Sequence, residues 1–206
     1  MIIPEALIFC YFFYVVGYTA FFAITGLFYR SPRVKKSETL SRFVVLLPSY
    51  KEDAMILDTS EQALHQTYPL SHYRVAVIAD SLQPETITKL KSHPIDVIEV
   101  SFEKSTKVKS LNKAFERLTD YDYAVILDAD NVMAPDFLEK MNDLLNAKGY
   151  QAVQGQRKPK NLNTTLAFLD AVSEAINNHV YRQGTVAAGL SSSISGSGVV
   201  FDFSLI

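Results

Sequence analysis

Apolar and polar positions fall into three successive regimes along the chain. Residues 6–28, ALIFCYFFYVVGYTAFFAITGLF, run without a single charge for about the length a helix needs to cross a hydrocarbon core. A cleaved signal peptide would carry Lys or Arg before a shorter apolar stretch and a small-residue cleavage site after it, whereas Glu5 is the only early charge here. The run is therefore read as a transmembrane helix occupying residues 1–30, in preference to a signal peptide or a buried core helix. Arg30, Arg33, Lys35 and Lys36 follow at once, and the positive-inside bias puts that flank in the cytoplasm. The expected topology has the N-terminus outside a cell membrane and everything after the helix inside. Residues 31–41, SPRVKKSETLS, are polar, charged and interrupted by proline, and predict a basic linker.

From residue 42 onward short β-rich runs alternate with segments of helical period. FVVLLP (43–48), YRVAVIAD (73–80), IDVIEV (95–100), YAVILDAD (123–130) and YQAVQGQ (150–156) predict five strands. Between them Leu111, Ala114, Phe115 and Leu118 recur at helical spacing. Pro135 and Gly149 bracket a helix whose apolar side is Phe137, Leu138, Met141, Leu144 and Leu145. Runs apolar on both faces, joined by helices, require a mostly parallel sheet covered on both sides, so the class is α/β and residues 42–206 form its domain.

In the third regime residues 164–182 place Leu169, Val172, Ile176 and Val180 on one side, predicting a helix that packs across that domain. The small, polar stretch GTVAAGLSSSISGSG (184–198) reads as a loop near a ligand, and VVFDFSLI closes the chain as a strand-like or helix-starting end. No internal repeat is visible, and the final residues read as cut, not finished.

Composition narrows the class without naming a function. With 206 residues, 48% hydrophobic, and 20 basic against 22 acidic side chains, the chain can bury one sizeable core and carries no charge excess that announces a nucleic-acid partner. Its single cysteine, Cys10, lies in the apolar run and cannot form an intrachain disulfide, which suits a reducing compartment. His65, His72, His93 and His179 show no metal-ligand spacing and receive no role.

Ligands of open α/β sheets bind beyond the carboxyl ends of the strands, so the residues directly after each apolar run are the informative ones. They are acidic. Ser49, Tyr50, Lys51, Glu52 and Asp53 follow the first run, Asp80 and Ser81 the second, and Asp128, Ala129, Asp130 and Asn131 the fourth. Carboxylates gathered at one edge repel one another unless a cation joins them, and a hard divalent metal bound by a D-x-D pair, with positions left for water and phosphate oxygens, is the economical solution. The competing reading makes Asp128 and Asp130 a helix cap or a solvated turn.

The motifs VVLLPSYKED, VIADS, KVKSLNKAF, VILDADN and AVQGQRKPKN, in this order from residue 42 to about 203, closely resemble the processive-type family 2 glycosyltransferases of the GT-A fold. The resemblance implies that Pro48, Tyr50 and Glu52 cradle a nucleoside, with Glu52 accepting from the ribose hydroxyls; Tyr50 alone would also suit ordinary packing. It implies that Asp80 reads the nucleobase, favouring uracil, with a helix N-cap as the alternative. Lys107 and Asn112 match a KxxxLN pattern that meets the diphosphate, though a lysine there also suits a solvated face. Asp128 resembles the residue that approaches the ribose or sugar, and Asp130 the principal ligand of Mg2+ or Mn2+. Gly196, Ser197 and Gly198 would line the sugar and acceptor end, or form a plain tight turn.

The implied activity is inverting transfer from a nucleotide sugar to a polysaccharide or lipid-linked acceptor at the membrane. The family's "ED" base and "QxxRW" motif are absent, tryptophan is absent throughout, and Asp202 comes too soon after Gly198 to match that base. The expectation is thus a chain ending before its catalytic base, able to bind donor but to transfer poorly. Two rivals stand beside it. VILDADNV also fits the nucleophile motif of haloacid-dehalogenase-type phosphatases through Asp128, although that motif normally ends a first strand. A non-catalytic membrane domain that binds nucleotide sugar is the other. Dinucleotide binding fails because no G-x-G-x-x-G follows the first strand.

Overall fold

The computed structural model describes residues 2–205, which divide into two compact units. The larger comprises Arg33–Gly155 and Ile194–Ile206 and is built on one six-stranded sheet. Its strands are β1 (Phe43–Tyr50), β2 (Tyr73–Asp80), β3 (Asp96–Val100), β4 (Tyr123–Ile126), β5 (Ala152–Gln154) and β6 (Val199–Asp202), in the order β3-β2-β1-β4-β6-β5. The first four run parallel, while β6 is antiparallel to both β4 and β5. The sheet is therefore mixed and mostly parallel, as the two-faced apolar runs predict.

Alternation along β1 divides the core. Phe43, Val45 and Leu47 enter one layer with Ile56, Leu90, Leu138 and Leu145, contributed by helices α2 (Asp53–Ala63), α3 (Pro84–Lys91) and α5 (Phe137–Lys148). Val44 and Leu46 enter the opposite layer with Leu111 and Ala114 of α4 (Lys107–Phe115). Both sheet faces are covered, and Phe43, Val44, Val45, Leu46 and Leu47 are fully buried. The predicted terminator of α5 is in place: Gly149 adopts the left-handed conformation (φ 62°) open to glycine without a Cβ penalty. Three strands, β3, β4 and β5, are shorter than predicted. The fourth strand leaves the ladder after Ile126, so Asp128 and Asp130 lie in a turn beyond it.

The segment expected to be a linker is strapped along α5. Lys36 pairs with Glu139 at 2.5 Å, the Ser37 amide donates to Asp143 Oδ1 at 2.8 Å, and the Ser41 amide donates to Asn142 Oδ1 at 3.0 Å. Buried Asn142 also donates to Thr39 O and accepts from the Tyr68 hydroxyl, which burial pushes up to about 12. Residues 33–41 thus belong to the sheet unit, because their backbone polar groups find side-chain partners on α5.

The smaller unit comprises the segment through Pro32 and Gln156–Ser193. It holds α1 (Ile2–Gly26), α6 (Thr165–Asn178), a π-helical segment (His179–Gly184) and a short α7 (Thr185–Ala187). Within α1, Pro4–Gly26 is long and apolar enough to cross a membrane. Of the apolar side predicted for residues 164–182, Leu169, Val172 and Ile176 are exposed and Val180 is buried.

Asn142→Ala is expected to lower the unfolding free energy in urea by about 1–3 kcal/mol, the cost of stranding the buried donors and acceptors it serves. The amide of Ser41 is expected to exchange hydrogen faster in the same variant. Unchanged stability and protection would show that the strap contributes nothing.

Candidate functional site

A cleft of about 350 Å3 opens at the carboxyl ends of β1, β2 and β4. Its position follows from strand order: β2 and β3 lie on one side of β1 and β4 on the other, so the connections leaving β1 and β4 part and leave a crevice. Pro48, Tyr50, Glu52, Asp80, Lys107, Asp128 and Asp130 all line it, as the motif positions predict. Ser49, Ser105, Thr106, Ser110 and Ala129 complete the wall.

The register aligns these side chains. Tyr50 is the parallel partner of Asp80, so β1 and β2 end level, whereas β4 leaves the ladder at Ile126, opposite Leu46. Lys51 and Ser81, which follow directly, take left-handed backbone at φ 55° and 58°. For side chains without Asn or Gly character this costs about 1–3 kcal/mol each. The Lys51 amide donates to Asp80 O at 3.2 Å and ties the two strained ends together.

Asp80 is buried, and its Oδ1 accepts from the Ser81 hydroxyl at 3.0 Å. Its Oδ2 has no hydrogen-bond partner in the protein, and the same is true of the buried Ser49 hydroxyl. Two orphaned polar atoms in one cleft wall mark a place where a ligand is expected to complete the hydrogen bonding.

The D-x-D turn is held by neutral groups. Thr59 Oγ1 donates to Ala129 O at 2.5 Å from beneath, and the Asp128 amide donates to buried Ser197 Oγ at 3.0 Å. Asn131 Nδ2 donates to the same oxygen at 2.9 Å. Ser197 is positioned in turn by Gln154, whose side chain donates to Ser197 O and accepts from the Ser195 amide, each at 2.9 Å. The Gly-Ser-Gly stretch is therefore a bracket behind the aspartates, with Gly196 and Gly198 in left-handed backbone (φ 78° and 65°) that glycine tolerates.

Charge in the cleft is unevenly balanced. Lys107, first residue of α4, makes an ion pair with Asp128 and donates to Gly196 O at 2.7 Å. Asp130 is exposed at the rim, and no salt bridge to it forms among the described residues. Desolvation, and then the negative fields of Asp130 and Asp128, raise the Glu52 pKa above its ordinary value. Asn112 is not brought to the site: five residues on from Lys107 it lies about 140° round the helix, exposed and outside the lining. Asp202 pairs with Tyr123 at the opposite end of the sheet, where it accepts from the Ser204 hydroxyl and amide.

Among the described residues no three His, Cys, Asp or Glu side chains converge to hold a metal unaided. The hard oxygen donors of Asp128 and Asp130, together with the field that raises Glu52, fit a divalent cation that completes its shell with water and phosphate oxygens. Sequence reasoning found the acidic residues but missed Ser49, Ser105, Thr106, Ser110, Thr59 and Gln154. The small polar run SFEKST before α4, closing on the cap Thr106, carried the available signal for two of them, Ser105 and Thr106.

A family model described as glycosyltransferase like family 2 matches residues 41–205. No curated protein matches the chain by sequence. Among solved structures, mannosyltransferase PcManGT from Pyrobaculum calidifontis, in complex with GDP-Man and Mn2+, is 19% identical with a TM-score of 0.69, over 91% of this chain and 52% of that one. Mannosyl-3-phosphoglycerate synthase from Rubrobacter xylanophilus is 19% identical with a TM-score of 0.52, over 80% of this chain and 55% of that one. S. aureus TarS 1-349 in complex with UDP is 17% identical with a TM-score of 0.50, over 59% and 36%. These likenesses concern the fold, and the chain spans from about a third to just over half of those proteins' lengths.

Replacing Glu52 by Gln tests the charge balance. A raised folded-state pKa means that ionised Glu52 costs the metal-free protein stability once pH exceeds that pKa. The cost fades as pH falls below the unfolded value of about 4.3. Glu52→Gln is expected to raise the melting temperature near pH 7 without metal, with the gain shrinking toward pH 4. A pH-independent gain would assign the effect to packing.

Proposed function

The chain belongs to glycosyltransferase like family 2 and carries the GT-A fold, and on that premise we propose that it binds a uridine diphosphosugar for transfer to a glycan or lipid-linked acceptor at a membrane. The observation that carries the donor reading is Asp80. One of its oxygens is already bonded by Ser81, and the other is buried without a partner in the cleft wall. Uracil offers a single imide N–H, which one free carboxylate oxygen satisfies; guanine offers adjacent N–H groups better matched by two free oxygens. Glu52 and Tyr50 would flank the nucleoside, with Glu52 toward the ribose hydroxyls.

Asp130 and Asp128 would hold Mg2+ or Mn2+, which when bound screens the charge of the diphosphate. Lys107 stands at the N-terminus of α4, where the ammonium group and the free backbone N–H groups present positive charge to an anion. In transfer with inversion the anomeric C–O bond to the diphosphate breaks while the acceptor oxygen bonds to the opposite face of the same carbon. Charge grows on the leaving oxygens, and preorganised positive groups favour that stage over the ground state. The acceptor hydroxyl yields its proton to a carboxylate base distinct from the four that face the donor.

Membrane anchoring by α1 with the sheet unit in the cytoplasm is part of the same proposal, supported by the apolar span and by the basic residues after it. The phosphatase alternative loses ground because Asp128 follows β4, the fourth strand in the chain, and not the first.

Calorimetric titration of the detergent-solubilised chain with UDP and with GDP, each with Mn2+, tests the reading. UDP is expected to bind at least about tenfold more tightly than GDP, a difference of about 1.4 kcal/mol. Asp80→Asn is expected to remove most of that preference, because the amide places a donor or a poorer acceptor against the base. Asp130→Ala is expected to abolish the metal dependence. Equal binding of both nucleotides would sink the uracil assignment, and no nucleotide binding by a folded protein would sink the donor site.

A further inference from the structure

The sheet unit leaves unexplained the long helix α6. Phe168, Leu169, Val172 and Ile176 are all exposed and share one side. Asp170, Glu174 and Asn177 occupy the opposite side, where Glu174 pairs with Arg182 at 2.8 Å. A helix with so open an apolar face and so polar a back is built to lie at a boundary between two media.

Its surroundings within the smaller unit select the medium. Residues His179–Gly184 continue α6 without a break and clamp onto the last turns of α1. His179 Nε2 donates to Ala23 O at 2.9 Å, and Thr25 Oγ1 donates to Gly184 O at 3.0 Å. Gly184 lies against the backbone carbonyl of Phe22, so close that a Cβ there would collide. These contacts fall at the end of α1 that precedes Arg30, Arg33 and Lys35. A 23-residue span of α1 is about 35 Å long against a hydrocarbon core of about 30 Å, so its final turns emerge among the headgroups.

The geometry points to α6 as an interfacial helix that lays its Phe168, Leu169, Val172 and Ile176 face into the cytoplasmic headgroup layer. The occupant of that face is lipid. A protein partner would have to reach a surface fixed beside the membrane exit of an apolar span, whereas lipid is already there, and the basic flank favours anionic headgroups. This inference rests on α1 crossing the membrane.

The chain contains no tryptophan, so a single introduced indole reports without background. Leu169→Trp on α6, Asn177→Trp on its polar side and Val16→Trp in α1 are each prepared in the full chain. They are reconstituted in phosphatidylcholine–phosphatidylglycerol vesicles carrying lipids brominated at shallow or deep acyl positions, with circular dichroism confirming the fold. Leu169→Trp is expected to emit to the blue of Asn177→Trp and to be quenched about twofold or more by shallow bromine, less by deep bromine, as suits burial of about 5–10 Å. Val16→Trp is expected to respond most to deep bromine. If Val16→Trp is quenched and Leu169→Trp is red-emitting and unquenched, α6 faces water and this inference is overturned while α1 stands. A blue-emitting but unquenched Leu169→Trp means protein covers the face, which overturns it too. Quenching of neither reporter removes the membrane reading itself.

Discussion

Parallel pairing of β1 with β2 and β4 is the constraint on which the cleft depends. A strand buried on both faces fixes its register through side-chain alternation, and a slip of one residue would exchange the two core layers. Because Phe43, Val45 and Leu47 fit one layer and Val44 and Leu46 the other, β1 has a single acceptable register against each neighbour. That register brings Tyr50 level with Asp80 and lets Asp128 leave β4 beside Glu52. The acidic edge follows from hydrophobic packing several residues away.

Holding several carboxylates at one edge costs free energy, and the protein meets that cost with neutral donors behind the turn and one lysine in front. Thr59, Ser197 and Asn131 fix the backbone around Asp128 and Asp130 without neutralising them. Lys107 balances Asp128 alone, and Glu52 bears the residual repulsion as a raised pKa. The left-handed Lys51 and Ser81 add backbone strain at the same spot. On the proposed reading, a cation and an anion arriving together would each relieve what the other would aggravate.

The two units are built differently. The sheet unit starts with a strap that pins residues 33–41 to α5. The smaller unit gathers the apolar surface that the sheet cannot use. Its interior is built on close backbone approach at Gly184 and on His179 bonding a helix carbonyl, both suited to packing where water is scarce.

Much of this was written in the sequence because it is local. Apolar runs ending on Tyr50, Asp80 and Asp128 announced strands and the edge they share, Gly149 announced a helix end, and the span of α1 needed only counting. What the sequence could not decide were matters of distant partners. Ser197 looked like a loop residue lining a ligand and is a buried bracket 69 residues from the amide it accepts. Residues 33–41 looked like a linker because the acceptors that order them lie about a hundred positions away on α5. The orphaned oxygen of Asp80, the exposure of Asn112 and the freedom of the α6 apolar face are likewise sums over the packed structure. Periodicity says which side of a helix is apolar, but only tertiary packing says whether another element has already taken the place where that side would go.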